Sequence, residues 1–193
     1  MSLIRGLSFF GLCFAFVVIA LGAWTRLVDA GLGCPDWPGC YGFVVFPTTE
    51  AEILIAEQRY PQFPYEIDKA IPEVVHRYFA AALGFIAILL VAFSYKLKLP
   101  TRIKAIASFL LFFICCQGLF GYLTVSLKLL PIIVTGHLFG GFITLSLFFY
   151  LFLNTSDGIK NHQIGHLKIL GGIALFALLI QIFLGAWTST NYA

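Results

Sequence analysis

Two histidines stand inside otherwise apolar stretches, His76 in "IPEVVHRYFAAALG" and His137 in "LLPIIVTGHLFGG". An imidazole in hydrocarbon is costly, so each must hydrogen-bond to a neighbouring helix or ligate something. Each follows a proline suited to the first turn of a helix, Pro72 and Pro131. His76 lies four residues past its proline and His137 six past. At about 1.5 Å per residue that is about 6 and 9 Å along the two helices, so the rings are expected at similar depth. Small residues accompany both: Ala80, Ala81 and Gly84 follow His76, and Gly136, Gly140 and Gly141 flank His137. They let helices approach closely or clear room for a flat ligand. Two histidines facing a cleared slot is the arrangement that bis-imidazole ligation of a haem iron needs.

Other ionisable groups gather near the same end. Glu73 precedes His76 by three residues, on the same helix face. Its charge suits a helix N-terminus; beside a bound ligand it can move protons or stabilise a cation, which is the catalytic reading. Arg77 and Arg26 either snorkel outward or pair with an acidic group such as a porphyrin propionate. Cys34 and Cys40 are close enough in sequence to be bridged. They read as a disulfide staple or as a redox-active pair serving a thiol partner, and two thiols are too few for a metal site of their own. Cys13, Cys115 and Cys116 fall inside apolar runs and read as inert packing residues. His162 and His166 read as solvated.

The elements that must hold these groups follow from composition. Of 193 residues, 60% are hydrophobic, 21 are Phe and only 11% are charged. That is far from a soluble domain, with about 25% charged residues, and points to lipid as the solvent. The net charge of +3 is too small to suggest nucleic acid. Apolar runs place spans at 7–24, 74–95, 103–125, 132–153 and 167–188. The first lacks a small-x-small cleavage site and reads as a retained helix, in a bacterial inner (plasma) membrane. Lys96, Lys98, Arg102, Lys104, Lys160 and Lys168 crowd the links on one side, and Arg5 precedes span one. The acidic residues crowd the long loop between spans one and two. The N-terminus is thus expected in the cytoplasm and that loop outside. At about 48 residues the loop is long enough to expect a function. "DAGLGCPDWPGCYG" reads as ordered turns, and "TTEAEILIAEQRY" as a helix able to lie on the membrane surface.

Three spans end alike: "GAWT" at Gly22, "GYLT" at Gly121 and "GAWT" at Gly185, with Gln117 and Gln181 four residues before the last two. "LGAWTRLVDA" at the end of span one returns as "LGAWTSTNYA" at the chain's close. The echo implies a four-helix unit, with span five beginning a second copy in parallel orientation.

"LGAWTRLVDAGLGCPDWPGCYG", "PEVVHR", "QGLFGYLTV", "LLPIIVTGHLFGG" and "QIFLGAWTSTNYA" resemble, in order and along the whole chain, the haem A synthase family of cytochrome oxidase assembly enzymes. The resemblance implies eight helices in two similar halves and oxidation of the methyl group of haem O to the formyl group of haem A. By it, His76 and His137 are the substrate-haem ligands, Glu73 is the carboxylate of a Glu-x-x-His motif, and Cys34 and Cys40 are an outer-loop cysteine pair. A haem b cofactor is expected in a second half, and haem O synthase and oxidase assembly factors as partners. The expected fold is all-α and polytopic, a four-helix transmembrane bundle plus a fifth helix. Residues 1–155 are then the N-terminal half, with outer loop 26–72, and 156–193 the inner loop and first helix of a truncated second half. The alternatives are a membrane b-type cytochrome that only carries electrons and a haem-free assembly scaffold.

Overall fold

The computed structural model describes residues 1–155 and 165–192. The readings made at Lys160 and His162, the boundary at 156 and the side chain of His166 lie outside the described residues. The helices are α1 (Ser2–Leu27), α2 (Glu50–Arg59), α3 (Ile67–Lys96), α4 (Thr101–Ser126), α5 (Pro131–Asn154) and α6 (Gly165–Tyr192). Five of them are long and apolar enough to cross a membrane. Each expected span is the middle of a longer helix, because hydropathy marks the lipid-facing stretch and the hydrogen-bonded coil continues into polar ends. The chain is an all-α, multi-pass membrane protein.

The packing closes a ring of four: α1 lies against α3 and α5, and α4 bridges α3 and α5, while α6 packs along α5. The apolar core fills the half of this bundle away from the long loop. Ile4, Ala15, Leu83, Ala87, Leu90, Ala107, Leu110, Phe148 and Leu151 meet there. Gly11 is required in that core, since the Phe148 ring occupies the place a Cβ would take. Large apolar side chains such as Phe16, Phe85 and Phe112 are more than half exposed on the outer face, at 66%, 60% and 63%. Lipid covers such residues as readily as protein does, so the phenylalanine-rich surface is a solvent boundary and not a defect. Cys13 and Cys115 are exposed on that surface and Cys116 is partly so.

Helix ends at the links have a common form that the sequence hides. Asp29, Lys98 and Lys128 have φ of 51°, 50° and 50°. The following residues donate back to Thr25, Ser94 and Thr124 at 2.9, 3.1 and 2.8 Å. These are glycine-type helix stops made without glycine, so the usual signal of a C-terminus is missing.

One expectation is corrected at α3. It starts at Ile67, so Pro72 stands inside the helix, whereas Pro131 does open α5. The additional turn forms because Ala70, fully buried, packs into a core made by the loop itself. Pro72 cannot donate to the Asp68 carbonyl, and its own carbonyl accepts a bond from the Thr25 hydroxyl at 3.3 Å. His76 is therefore well inside α3 and not in its first turns. The packing of the four helices, not matched prolines, brings the two histidines level.

The loop is folded. Cys34 and Cys40 are joined by a disulfide, and both are fully buried. Tyr41 is packed edge-on against Tyr60 and Tyr65 and donates to the Pro64 carbonyl at 3.0 Å. Asp36 accepts from the Tyr41 and Gly42 amides at 2.5 and 2.8 Å. Thr49 and Glu52 cap α2 reciprocally, which explains why that helix starts where the sequence pattern suggests. Burial, helped by the charge of Glu66, pushes the Tyr41 phenol up from 10.0 to about 12. An unfolded chain loses that proton near pH 10 while the folded loop keeps it. The stability drawn from Tyr41 is thus fully present below about pH 10 and lost between about pH 10 and 12. Burial also raises Tyr60 and Tyr65, so an ultraviolet phenolate titration should show several late tyrosines with one ionising near pH 12, and Tyr41→Phe should remove that last step. A step near pH 12 that survives the substitution would assign it elsewhere.

Candidate functional site

The site is at the loop end of the bundle, above the apolar core. The His76 and His137 rings face each other across the bundle, 6.4 Å apart between centroids and at 86° to one another. Their supports differ. His76 Nδ1 is 3.1 Å from the Val18 carbonyl of α1, the geometry of an N–H donating to it. His137 Nδ1 is buried with no hydrogen-bond partner.

The repeated Gly-x-x-Thr endings acquire a meaning here. Gly22 of α1 lies against His76, where a Cβ would come within 2.9 Å of Cε1. Gly121 of α4 lies against His137, where a Cβ would stand 3.7 Å from Cε1. Gly22 makes room for the His76 imidazole, whereas a side chain at 121 would meet His137 at ordinary contact distance. Nothing lies within 4 Å of the place a Cβ would take on Gly185. One turn deeper in the α4–α5 seam, the Gln117 amide takes the place where a Gly140 side chain would start. The threonines of the first two endings turn their hydroxyls back onto their own helices, Thr25 to Leu21 and Thr124 to Gly121.

Glu73 and Arg77, one turn apart on α3, form an ion pair with side-chain exposures of 6% and 14%. The Cys34 amide donates to Glu73 Oε2 at 2.9 Å. Arg77 Nη1 donates to the carbonyls of Gly39 at 2.6 Å, Asp36 at 2.9 Å and, more weakly, Pro38 at 3.4 Å. The pair thus pins the whole disulfide loop onto the helix that carries His76. On the other side Trp37 stands edge-on to Tyr122 of α4 at 5.8 Å, and Gly31 lies against Leu129. The loop is a cover over this end of the bundle. The disulfide closes the stretch that Glu73 and Arg77 grip, as a staple should, and a thiol partner reaches its sulfurs only if the cover lifts.

The two arginines considered for propionates therefore have partners on this chain. Arg77 is engaged as described, and Arg26 pairs with Asp29 at 3.7 Å and donates to the Ser189 carbonyl of α6. Sequence reasoning singled out His76, His137, Glu73, Arg77, Arg26, Cys34 and Cys40, and the structure gathers them all at the loop end. It missed the Val18 carbonyl, and it saw Gly22 and Gly121 only as packing residues. The recurrence of Gly-x-x-Thr was the available signal.

Among the described residues no group of three or more His, Cys, Asp or Glu side chains could hold a metal ion. A pair of imidazoles suits instead a metal whose other ligands come with it, such as an iron in a porphyrin.

Residues 5–193 match the family described as cytochrome oxidase assembly protein. Over 185 residues the chain is 43% identical to the heme A synthase of Shewanella oneidensis, covering 94% of this chain and 56% of that relative. The chain thus spans little more than half the length of that relative. No solved structure matches it.

Proposed function

Because this chain belongs to the cytochrome oxidase assembly protein family, we propose that it forms the substrate-holding part of a haem A synthase, which oxidises the methyl group of haem O to the formyl group of haem A. The observation that carries the reading is the pair of facing imidazoles, with a glycine against each and the one at 22 required by the His76 ring. With ring centroids 6.4 Å apart, His76 and His137 are the residues that would hold the iron of a haem between them. When bound, haem supplies the redox chemistry at its iron and the methyl group that reacts.

The chain's own residues position, shield and handle protons. His76 donates through Nδ1 to Val18, which leaves Nε2 with its lone pair for the iron and fixes the plane of the ring. The loop cover, held by Arg77, keeps water from the slot. Oxidation of a methyl group releases protons, and Glu73 is the carboxylate near His76 that can accept one. Its Oε2 takes a neutral amide hydrogen bond from Cys34, while the Arg77 pair holds its Oε1. The lysine- and arginine-rich links favour an N-terminus in the cytoplasm and the loop on the outer face of a bacterial inner membrane. Haem O would arrive from the synthase that makes it, and haem A would pass to oxidase assembly factors.

Expression in cells that lack their own haem A synthase tests the reading. The expected result is a bound haem O and haem A in extracts, with Glu73→Gln keeping the first and losing most of the second. Normal haem A formation by Glu73→Gln would remove the catalytic role. A separate expectation follows from the glycines. Gly22→Ala forces the His76 ring to shift and should weaken haem binding about tenfold. Gly185→Ala meets nothing within 4 Å and should leave it unchanged. Equal binding by both variants would show that the Gly22 contact does not position the ligand.

A further inference from the structure

We propose that Gln117 is a positioning residue for His137, its side-chain carbonyl accepting the proton of His137 Nδ1. The assignment rests on the haem-ligand reading above and deepens it.

Two seams of the bundle carry the two histidines, and they are built alike. In the α1–α3 seam, Gly22 lies against His76, and the residue four positions earlier, Val18, accepts from His76 Nδ1 at 3.1 Å. In the α4–α5 seam, Gly121 lies against His137, and the residue four positions earlier is Gln117. There the acceptor is missing, and His137 Nδ1 is left buried without a partner. A buried ring nitrogen in that state is uncommon and calls for an explanation. A ligating histidine also needs its second nitrogen held, since that bond sets the tautomer and the ring plane.

Gln117 is the polar side chain in position to serve. Positions 117 and 121 share a face of α4, and 137 and 140 share a face of α5. Its amide sits over Gly140, in space open only because Gly140 has no side chain, and no hydrogen bond to another described residue holds it there. An amide inside a membrane span is itself costly without a partner. A side-chain rotation within this seam satisfies both groups: the His137 N–H donates to the Gln117 Oε1, and His137 Nε2 is left as the ligand. The backbone carbonyl of Gln117, the strict counterpart of the Val18 carbonyl, is the competing acceptor, and the two are separable because only one depends on the side chain.

The test uses the whole chain, first without haem and then loaded with it. In haem-free protein labelled with 15N-histidine, the His137 Nδ1–H resonance, assigned by its loss in His137→Ala, should move in Gln117→Leu while that of His76 stays. With haem bound, Gln117→Leu should lower haem affinity about tenfold and raise the midpoint potential. Gln117→Glu keeps an oxygen at the same reach with more negative charge, and should restore affinity and lower the potential below that of the unsubstituted chain. If Gln117→Leu fails to fold, Gln117→Glu and Gln117→Asn carry the test, the shorter amide behaving as the leucine does. Unchanged His137 resonance, affinity and potential in Gln117→Leu would overturn the proposal in favour of the backbone carbonyl. A chain that takes up no haem at all would instead defeat the ligand reading, and the 15N measurement would still decide the Gln117–His137 bond.

Discussion

His137→Ala is expected to yield a folded chain that has lost the haem Soret band, with affinity down by more than about 100-fold. Changing groups that merely orient a ligand costs about 10- to 100-fold, so removing the ligand itself should exceed that range. The fold should survive because the ring stands at the loop end of the bundle, clear of the apolar core that holds the helices together. His76→Ala should also abolish the Soret band, and it deletes the hydrogen bond to Val18, worth about 1 kcal/mol. The two variants should therefore agree in spectrum, each with a modestly lowered melting temperature. Titration of haem into detergent-solubilised protein, followed by thermal unfolding, measures both. An unchanged Soret band in either variant would remove that histidine from the ligand set.

The second large effect is structural. Arg77→Ala strands the Glu73 carboxylate, which is 4% exposed, and releases the carbonyls of Asp36, Pro38 and Gly39 together. Breaking a buried ion pair by removing one partner costs about 3–5 kcal/mol, because the remaining charge is left without compensation. The damage should concentrate in the loop, whose attachment to α3 depends on that guanidinium, and less in the apolar core at the other end of the bundle. Limited proteolysis should cut between residues 30 and 66 in Arg77→Ala under conditions that leave the unsubstituted chain whole. Glu73→Gln should be milder, since its amide oxygen can still accept from Cys34 and the Arg77 guanidinium keeps the carbonyls of Asp36 and Gly39 as partners. Arg77→Lys should not rescue, because one ammonium group cannot reach both a carboxylate and carbonyls spread along a turn. A loop as resistant in Arg77→Ala as in the unsubstituted chain would show that the disulfide and the tyrosine core hold it unaided.

Much of this protein is determined locally. A run of about 20 apolar residues makes a membrane helix whatever its neighbours are, since lipid forces every backbone group into the helix's own hydrogen bonds. The five spans, the candidate histidines and the capped α2 were legible for that reason. Helix lengths were less so: α3 begins at Ile67 only because Ala70 fits a core built by distant loop residues, and the αL stops at Asp29, Lys98 and Lys128 carry no glycine to announce them. The site itself was decided by tertiary structure. Which carbonyl meets His76, which glycine lies against each ring and where Arg77 spends its donors all depend on the register between helices. Side chains of several helices set that register together, and no period in one of them records it. The sequence placed Glu73, His76 and Arg77 on one turn of helix; only packing showed that Glu73 and Arg77 grip the loop while His76 turns inward to His137.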